Sequence, residues 1–452
     1  MKSTGTHRSY QIKTICNAPI ELIDGDRGKN YPKQHDFSSS GYCLFLNAGN
    51  VTKSGLDFHE CAFISEEKDS LLGKGKLRRG DIIVTTRGTL GNIGYYDKSA
   101  PYDKVRINSG MIILRPLESE LEATFLYCYL RSVLFQSQVT KLSSGSAQPQ
   151  LPIRDFRNIE IPLPPLPEQR RIAHILGTLD DKIENNRKTA KTLEAMAQAI
   201  FQSWFVDFDP VRAKMAGESK ESICKRLKLT PEILDLFPDK LVDSELGEIP
   251  EGWYVDSIYM ISDVIYGAPF NSSLFNTKQL GEPLIRIRDL VNEIPGIWTT
   301  EHHPRGYKVK RGDIVVGMDG EFRAYLWGGA EAWLNQRVCI FSPRVGYSSP
   351  FVRNSVIPLL AEVEASEIAT TVIHLGKSDI DHFTVVIPTH IITEAFNEIT
   401  IPIYSDIVRA KWESHMLVRI RDTLLPKLIS GEIRTPDVDS IVGGLHNDLL
   451  SR

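Results

Sequence analysis

From Ile172 onward, side chains of one kind recur at steps of four and three: Ile172, Leu176, Leu179, Ile183, Asn186, Ala190, Leu193, Ala197, Ile200 and Trp204. All but Asn186 are apolar. That rhythm is the narrow seam of a coiled coil, not the wider stripe of a helix lying on a sheet. Asn186 is the lone polar position, the type that fixes register at some cost in stability. The run opens after Pro164-Pro165-Leu166-Pro167, where proline sets the entry and Glu168 suits the positive helix N-terminus. It ends near Asp209-Pro210. About 40 residues at the helical rise make a rod of roughly 60 Å. A rod of that length with an apolar seam needs a partner.

A second seam supplies one. Between Glu394 and Leu428 the same stepping finds Ile399, Ile403, Ile407, Ala410, Ser414, Leu417, Leu424 and Leu428, with Arg421 off pattern. Pro402 predicts a kink or the true start of this helix, and Pro426 with Gly431 predicts its end. Two rods separated by a globular segment most simply pair antiparallel. The alternative is that each rod lies against its own domain.

The segments before the two rods match as well. Arg79-Gly80-Asp81-Ile82-Ile83-Val84 recurs as Arg311-Gly312-Asp313-Ile314-Val315-Val316, with basic residues just upstream in both copies. Ile153-Arg154-Asp155-Phe156 resembles Ile380-Asp381-His382-Phe383, and each is followed by a short apolar run ending in proline. Matches in the same order predict a duplicated unit, a strand-rich globular part followed by a long helix. The expected fold class is α+β: two α/β domains separated by two long antiparallel coiled-coil helices, with a pseudo-two-fold internal repeat. The boundaries read as a first domain over 1–162, a first helix over 163–212, a linker over 213–244, a second domain over 245–389, a second helix over 390–435 and a tail over 436–452. Within the linker, Thr230 is placed to cap a short helix opening at Pro231.

Composition narrows the function. The formal net charge of −4 excludes a protein coated in basic charge, so any nucleic-acid surface must be local. Residues 1–160 hold 21 basic against 17 acidic residues, a net of +4; residues 245–390 hold 12 against 18, a net of −6. The second domain must then rely on a patch drawn from Arg305, Lys308, Lys310, Arg311, Arg323, Arg337 and Arg344. The six cysteines are scattered, with no C-x-x-C pair, which reads as reduced thiols rather than a disulfide or zinc framework. The polar start is unlike a signal peptide, and no stretch is apolar enough to span a bilayer, so a cytoplasmic protein is expected.

No catalytic constellation stands out. His302-His303 are neighbours, and on a strand they would face opposite ways. Asp180-Asp181 and Asp207-Asp209 read as solvated charges on or beside the first rod. There is no G-x-S-x-G, no H-E-x-x-H and no Asn/Asp-Pro-Pro-aromatic motif of a DNA methyltransferase. Two loops carry small donors instead. One is Thr86-Arg87-Gly88-Thr89-Leu90-Gly91-Asn92, just after a strand; the other is Ser143 to Gln150. Such side chains suit base edges and phosphates, and equally suit ordinary polar turns.

The helices carry a family resemblance. Leu163-Pro164-Pro165-Leu166-Pro167-Glu168-Gln169-Arg170-Arg171-Ile172-Ala173, then Leu179-Asp180-Asp181-Lys182-Ile183-Glu184 and Phe201-Gln202-Ser203-Trp204-Phe205-Val206-Asp207-Phe208, resemble the central helix of type I restriction–modification specificity subunits. Leu424 to Ile433 resembles that family's second helical region, and Leu246 to Trp253 resembles the entry to its second recognition domain. Thr400-Ile401-Pro402-Ile403 departs from the pattern.

The resemblance implies a non-catalytic subunit whose two domains each read half of an asymmetric, bipartite, double-stranded DNA target. The rods would set the spacing and dock two adenine methyltransferase subunits, with restriction–translocase subunits joining for cleavage. No cofactor is expected on this chain; S-adenosylmethionine would belong to the methyltransferase, and ATP and Mg to the restriction subunit. The residues expected on DNA are Thr86, Arg87, Gly88, Thr89, Asn92, Ser144, Gln148 and Gln150 in the first domain, and Met318, Arg323, Arg337 and Lys377 in the second. Those expected on the seam or at the docking surface are Ile172, Leu176, Leu179, Ile183, Asn186, Leu193, Ile200, Trp204, Ile407, Leu417, Leu424 and Leu428. A scaffold that merely dimerises would also explain the rods, and DNA-shift assays separate the two readings.

Overall fold

The computed structural model describes residues 10–53, 55–145, 149–366 and 373–438. It divides into two compact units, residues 1–182 with 416–452, and residues 183–415. The division cuts through both long helices.

In the first unit a four-stranded antiparallel sheet forms from β1 (Ile20–Asp24), β2 (Ile82–Thr85), β3 (Ile93–Tyr95) and β4 (Met111–Pro116), in the order β1-β4-β2-β3. A smaller sheet places Cys43–Leu46 antiparallel to Phe63–Ile64 and parallel to Val105–Ile107. One face of the larger sheet, with Ile82, Val84, Ile112 and Leu114, packs on helices 123–130 and 133–142. The other face, with Ile83, Met111 and Ile113, packs on the smaller sheet. Burial on both faces explains why these strands are continuous Val/Ile/Leu runs rather than alternating ones.

The repeat unit over 82–85 belongs to β2, and the Arg-Gly-Asp before it is a turn. Gly80 takes the left-handed conformation at φ 95°, and the Asp81 carboxylate accepts from the Arg78 N–H at 2.7 Å. In the second unit Gly312 has φ 92°, and Asp313 accepts from the Lys310 N–H at 2.7 Å. The match is thus a turn whose glycine and capping aspartate are both required.

The second unit repeats the first. Strands β5 (Ser262–Tyr266), β6 (Ile314–Gly317), β7 (Ala324–Leu326) and β8 (Val338–Pro343) run in the order β5-β8-β6-β7. Glu282–Ile285 lies parallel to Ala332–Leu334 within a five-stranded sheet. The strand before each long helix also pairs alike: Glu160–Leu163 with Gln11–Thr14, and Thr384–Ile387 with Tyr254–Ser257.

Helix α1 spans Leu166–Phe201 and α2 spans His390–Ser430. They run antiparallel inside each unit. In the first, Ile172 and Leu176 join Ile420, Leu424 and Leu428 in one core, and Asp180 meets Arg421 at 2.7 Å. In the second, Asn186 meets Glu413 at 2.8 Å, and Ala190 and Ala197 join Tyr404, Ile407 and Ala410.

Three seam details differ from the sequence reading. Pro402 does not start α2; it is exposed and lies within the helix, as does the half-buried Pro426. Near Leu417 the buried side chains are Met416 and Ile420, with Leu417 only half covered, because Arg421 turns to Asp180. Asp180 is a salt-bridged partner of Arg131 and Arg421, not a solvated charge.

After Phe201 the first helix widens into a π-turn over Gln202–Val206, which brings Trp204 and Phe205 into an aromatic core with Phe351 and Phe396. Leu179, Leu193 and Ile200 are half covered, while Ile183 is buried. The linker carries helices Asp209–Met215, Lys220–Leu227 and Pro231–Leu236, the last capped by Thr230. All six cysteines are free, and Cys16 is exposed rather than buried. Among the described residues no helix is long and apolar enough to cross a membrane.

Candidate nucleic-acid interface

Loops converge where β2 ends and β4 begins. The Thr86 and Arg87 N–H groups donate to the Gly110 carbonyl at 2.8 and 3.2 Å. The Leu151 N–H donates to the Thr86 carbonyl at 3.0 Å, and Ser144 and Gln150 exchange two backbone bonds at 3.0 Å. The Thr89 hydroxyl donates to the Ala48 carbonyl at 3.1 Å, and Arg27 donates to the Ser109 carbonyl at 3.2 Å. Loops 25–28, 47–50, 86–92 and 108–110, with Ser144 and Gln150, are therefore tied together by hydrogen bonds.

Their side chains divide the work. The Arg87 side chain is exposed and has no hydrogen-bond or ion-pair partner among the described residues. Ser144 and Gln150 are exposed beside it; Gln148 lies outside the described residues. Gly88 takes φ 73°, the turn that presents Arg87. Thr86 and Asn92 build the loop from beneath. The Thr86 hydroxyl is buried on the Gly110 carbonyl, and the Asn92 amide donates to the Val51 carbonyl at 2.8 Å. Neither side chain is free to reach a ligand as it stands.

The equivalent loops of the second unit are bonded the same way. The Met318 N–H donates to the Arg337 carbonyl at 2.9 Å, as Thr86 does to Gly110. The Leu375 N–H donates to the Met318 carbonyl at 2.8 Å, as Leu151 does to Thr86. Asp319 pairs with His374 across an isolated bridge, as Arg87 pairs with Gln150. Asp319, not Arg323, is thus the counterpart of Arg87.

Met318 is buried. Arg323 is held by Glu364 at 2.8 Å and Glu321 at 3.4 Å, and the Glu364 bond raises its pKa further. Arg337 is half exposed, 3.4 Å from Asp319 and from His374. Lys377 is exposed at the start of the short helix Lys377–Asp381.

The basic patch expected here is largely neutralised. Lys308 pairs with Glu282, Arg344 with Asp263, and Arg311 stacks on Trp412 at 4.0 Å. His302 and His303 lie against the rings of Trp333 and Phe270. No cluster of three or more metal-binding side chains occurs among the described residues.

Residues 9–195 match the family model described as the type I restriction modification DNA specificity domain. The HindI specificity subunit of Haemophilus influenzae is 26% identical, over 90% of this chain and 98% of that protein. The MjaIX specificity subunit of Methanocaldococcus jannaschii is also 26% identical, over 86% and 87%. Over most of its length the chain is thus similar to specificity subunits of type I restriction–modification systems. The fold agrees: the S subunit of such a system from M. genitalium superposes with a TM-score of 0.54 at 16% identity, covering 95% of this chain and 98% of that one.

Beside the expected residues the structure places Arg27, Asn47, Ser109, Asp319 and His374, which sequence reasoning had not singled out. The available signals were the turn-forming Asn47-Ala48-Gly49-Asn50 and Asn108-Ser109-Gly110, and the repeat register that sets Asp319 opposite Arg87.

Proposed function

We propose that this chain reads DNA sequence for a type I restriction–modification enzyme, each recognition domain taking one half of an asymmetric bipartite target. One observation carries the reading: the same loop-bearing sheet end is built twice, with different side chains at matching positions, Arg87 in one and Asp319 in the other. Two similar readers with different tips suit two different half-sites. The long helices α1 and α2 would set the spacing between half-sites and dock two adenine-N6 methyltransferase subunits, and through them the restriction subunits.

The chain itself would recognise rather than catalyse. Methylation of adenine needs the base flipped from the stack, and that chemistry falls to a partner using S-adenosylmethionine. ATP and Mg would serve the restriction subunit, and the complex would work in the cytoplasm.

The test is a competition shift assay with the chain and its methyltransferase partner on labelled genomic-fragment duplexes. Retention of a subset of fragments against excess unrelated duplex supports sequence reading. Equal retention of every fragment, falling uniformly with salt, would contradict it.

A further inference from the structure

We infer that Asp319 reads a base through its exposed amino group, cytosine N4 or adenine N6, at the position where Arg87 reads guanine in the other half-site. The inference rests on the proposed DNA-reading role and names the chemistry of one position within it.

The backbone equivalence is set by two matched hydrogen bonds and one matched isolated bridge, so Arg87 and Asp319 occupy the same loop site with opposite charge. In the major groove guanine offers two acceptors, O6 and N7, which fit an arginine fork. Cytosine and adenine each offer an amino donor, which fits a carboxylate.

A bare carboxylate at DNA would be repelled by phosphates, and the second unit provides against that. The Asp319 Oδ1 accepts from His374 Nδ1 at 2.7 Å and lies 3.4 Å from Arg337 Nη1. Arg337, half exposed, supplies the offsetting positive charge. Asp319 Oδ2 has no hydrogen-bond partner among the described residues and is left for a base. The neighbouring Arg323 is held by two glutamates, which leaves Asp319 and Arg337 as the pair at the tip.

The experiment expresses the chain with its methyltransferase partner and maps methylated sites by methylation-sensitive sequencing. Wild type is expected to show cytosine or adenine at one fixed position of one half-site. Asp319→Arg should lower methylation of wild-type sites about tenfold or more and favour guanine at that position, with the other half-site unchanged. Asp319→Asn, nearly isosteric, guards against misfolding and should admit more than one base there. An unaltered motif in both variants, or a uniform loss with no change of base, overturns the inference while leaving DNA reading intact. Absence of sequence-specific methylation by wild type overturns both.

Discussion

The Asn186 side-chain amide donates to the Glu413 carboxylate at 2.8 Å, across the antiparallel helix pair of the second unit. The lone polar residue of the α1 seam is therefore satisfied by a charged partner on α2. Asn186→Ala removes a hydrogen bond to a charged group and should cost about 1–2 kcal/mol. Asn185→Ala, on the exposed face, should change stability by less than about 0.5 kcal/mol. Urea unfolding midpoints compare the two.

Glu293 anchors its domain to α2. Its backbone sits at φ 54°, and its carboxylate accepts from Lys411 at 2.6 Å and from the Gly328 N–H at 2.8 Å, facing His415. Burial pushes the Glu293 pKa up, but His415, Lys411 and the Gly328 N–H outweigh it and hold the carboxyl below its ordinary value. A depressed acid stabilises fully above its unfolded-state pKa, about 4.3. That stabilisation fades as pH falls below this toward the folded value. Glu293→Ala should cost about 3 kcal/mol at pH 7, because Lys411 is left partly buried and unpaired there. The difference in midpoint between wild type and Glu293→Gln should shrink below about pH 4.

Two glycines are demanded by close approach rather than by turn geometry. A Cβ at Gly25 would sit 2.1 Å from the Asn108 carbonyl oxygen, and one at Gly267 would sit 2.0 Å from that of Asn335. Each contact braces a tip loop against the first strand of its sheet. Gly25→Ala and Gly267→Ala should each destabilise by about 1–3 kcal/mol. Hydrogen exchange should quicken only in the unit that carries the change.

Arg87 is free and Arg323 is not. Arg87→Ala should cost about 1–3 kcal/mol of binding and relax one base of one half-site. Arg323→Ala should change target choice little, because Glu364 and Glu321 already hold its guanidinium. Fluorescence anisotropy of the methyltransferase complex on target duplex measures both.

The helices were legible because a 4-3 rhythm survives any change of surface residue. The Arg-Gly-Asp repeat was legible because Gly80 and Gly312 need a left-handed turn. Local slips came from tertiary choices: Arg421 leaves the seam to meet Asp180, which shifts burial to Met416 and Ile420. Pro402 stays helical because it sits on an exposed face. At the tips, nothing in the spacing shows that Glu364 and Glu321 hold Arg323. The register of the Arg-Gly-Asp repeat, Asp81 against Asp313, sets Asp319 opposite Arg87, and the backbone bonds of the two loops agree with it.

The central claim is that two loop ends of one design read two different half-sites. Methylation-sensitive sequencing of DNA from cells carrying the chain with its methyltransferase partner tests it most directly. The account predicts one motif of two unlike half-sites separated by a fixed spacer. A contiguous motif, a palindrome, or methylation without sequence preference would contradict it.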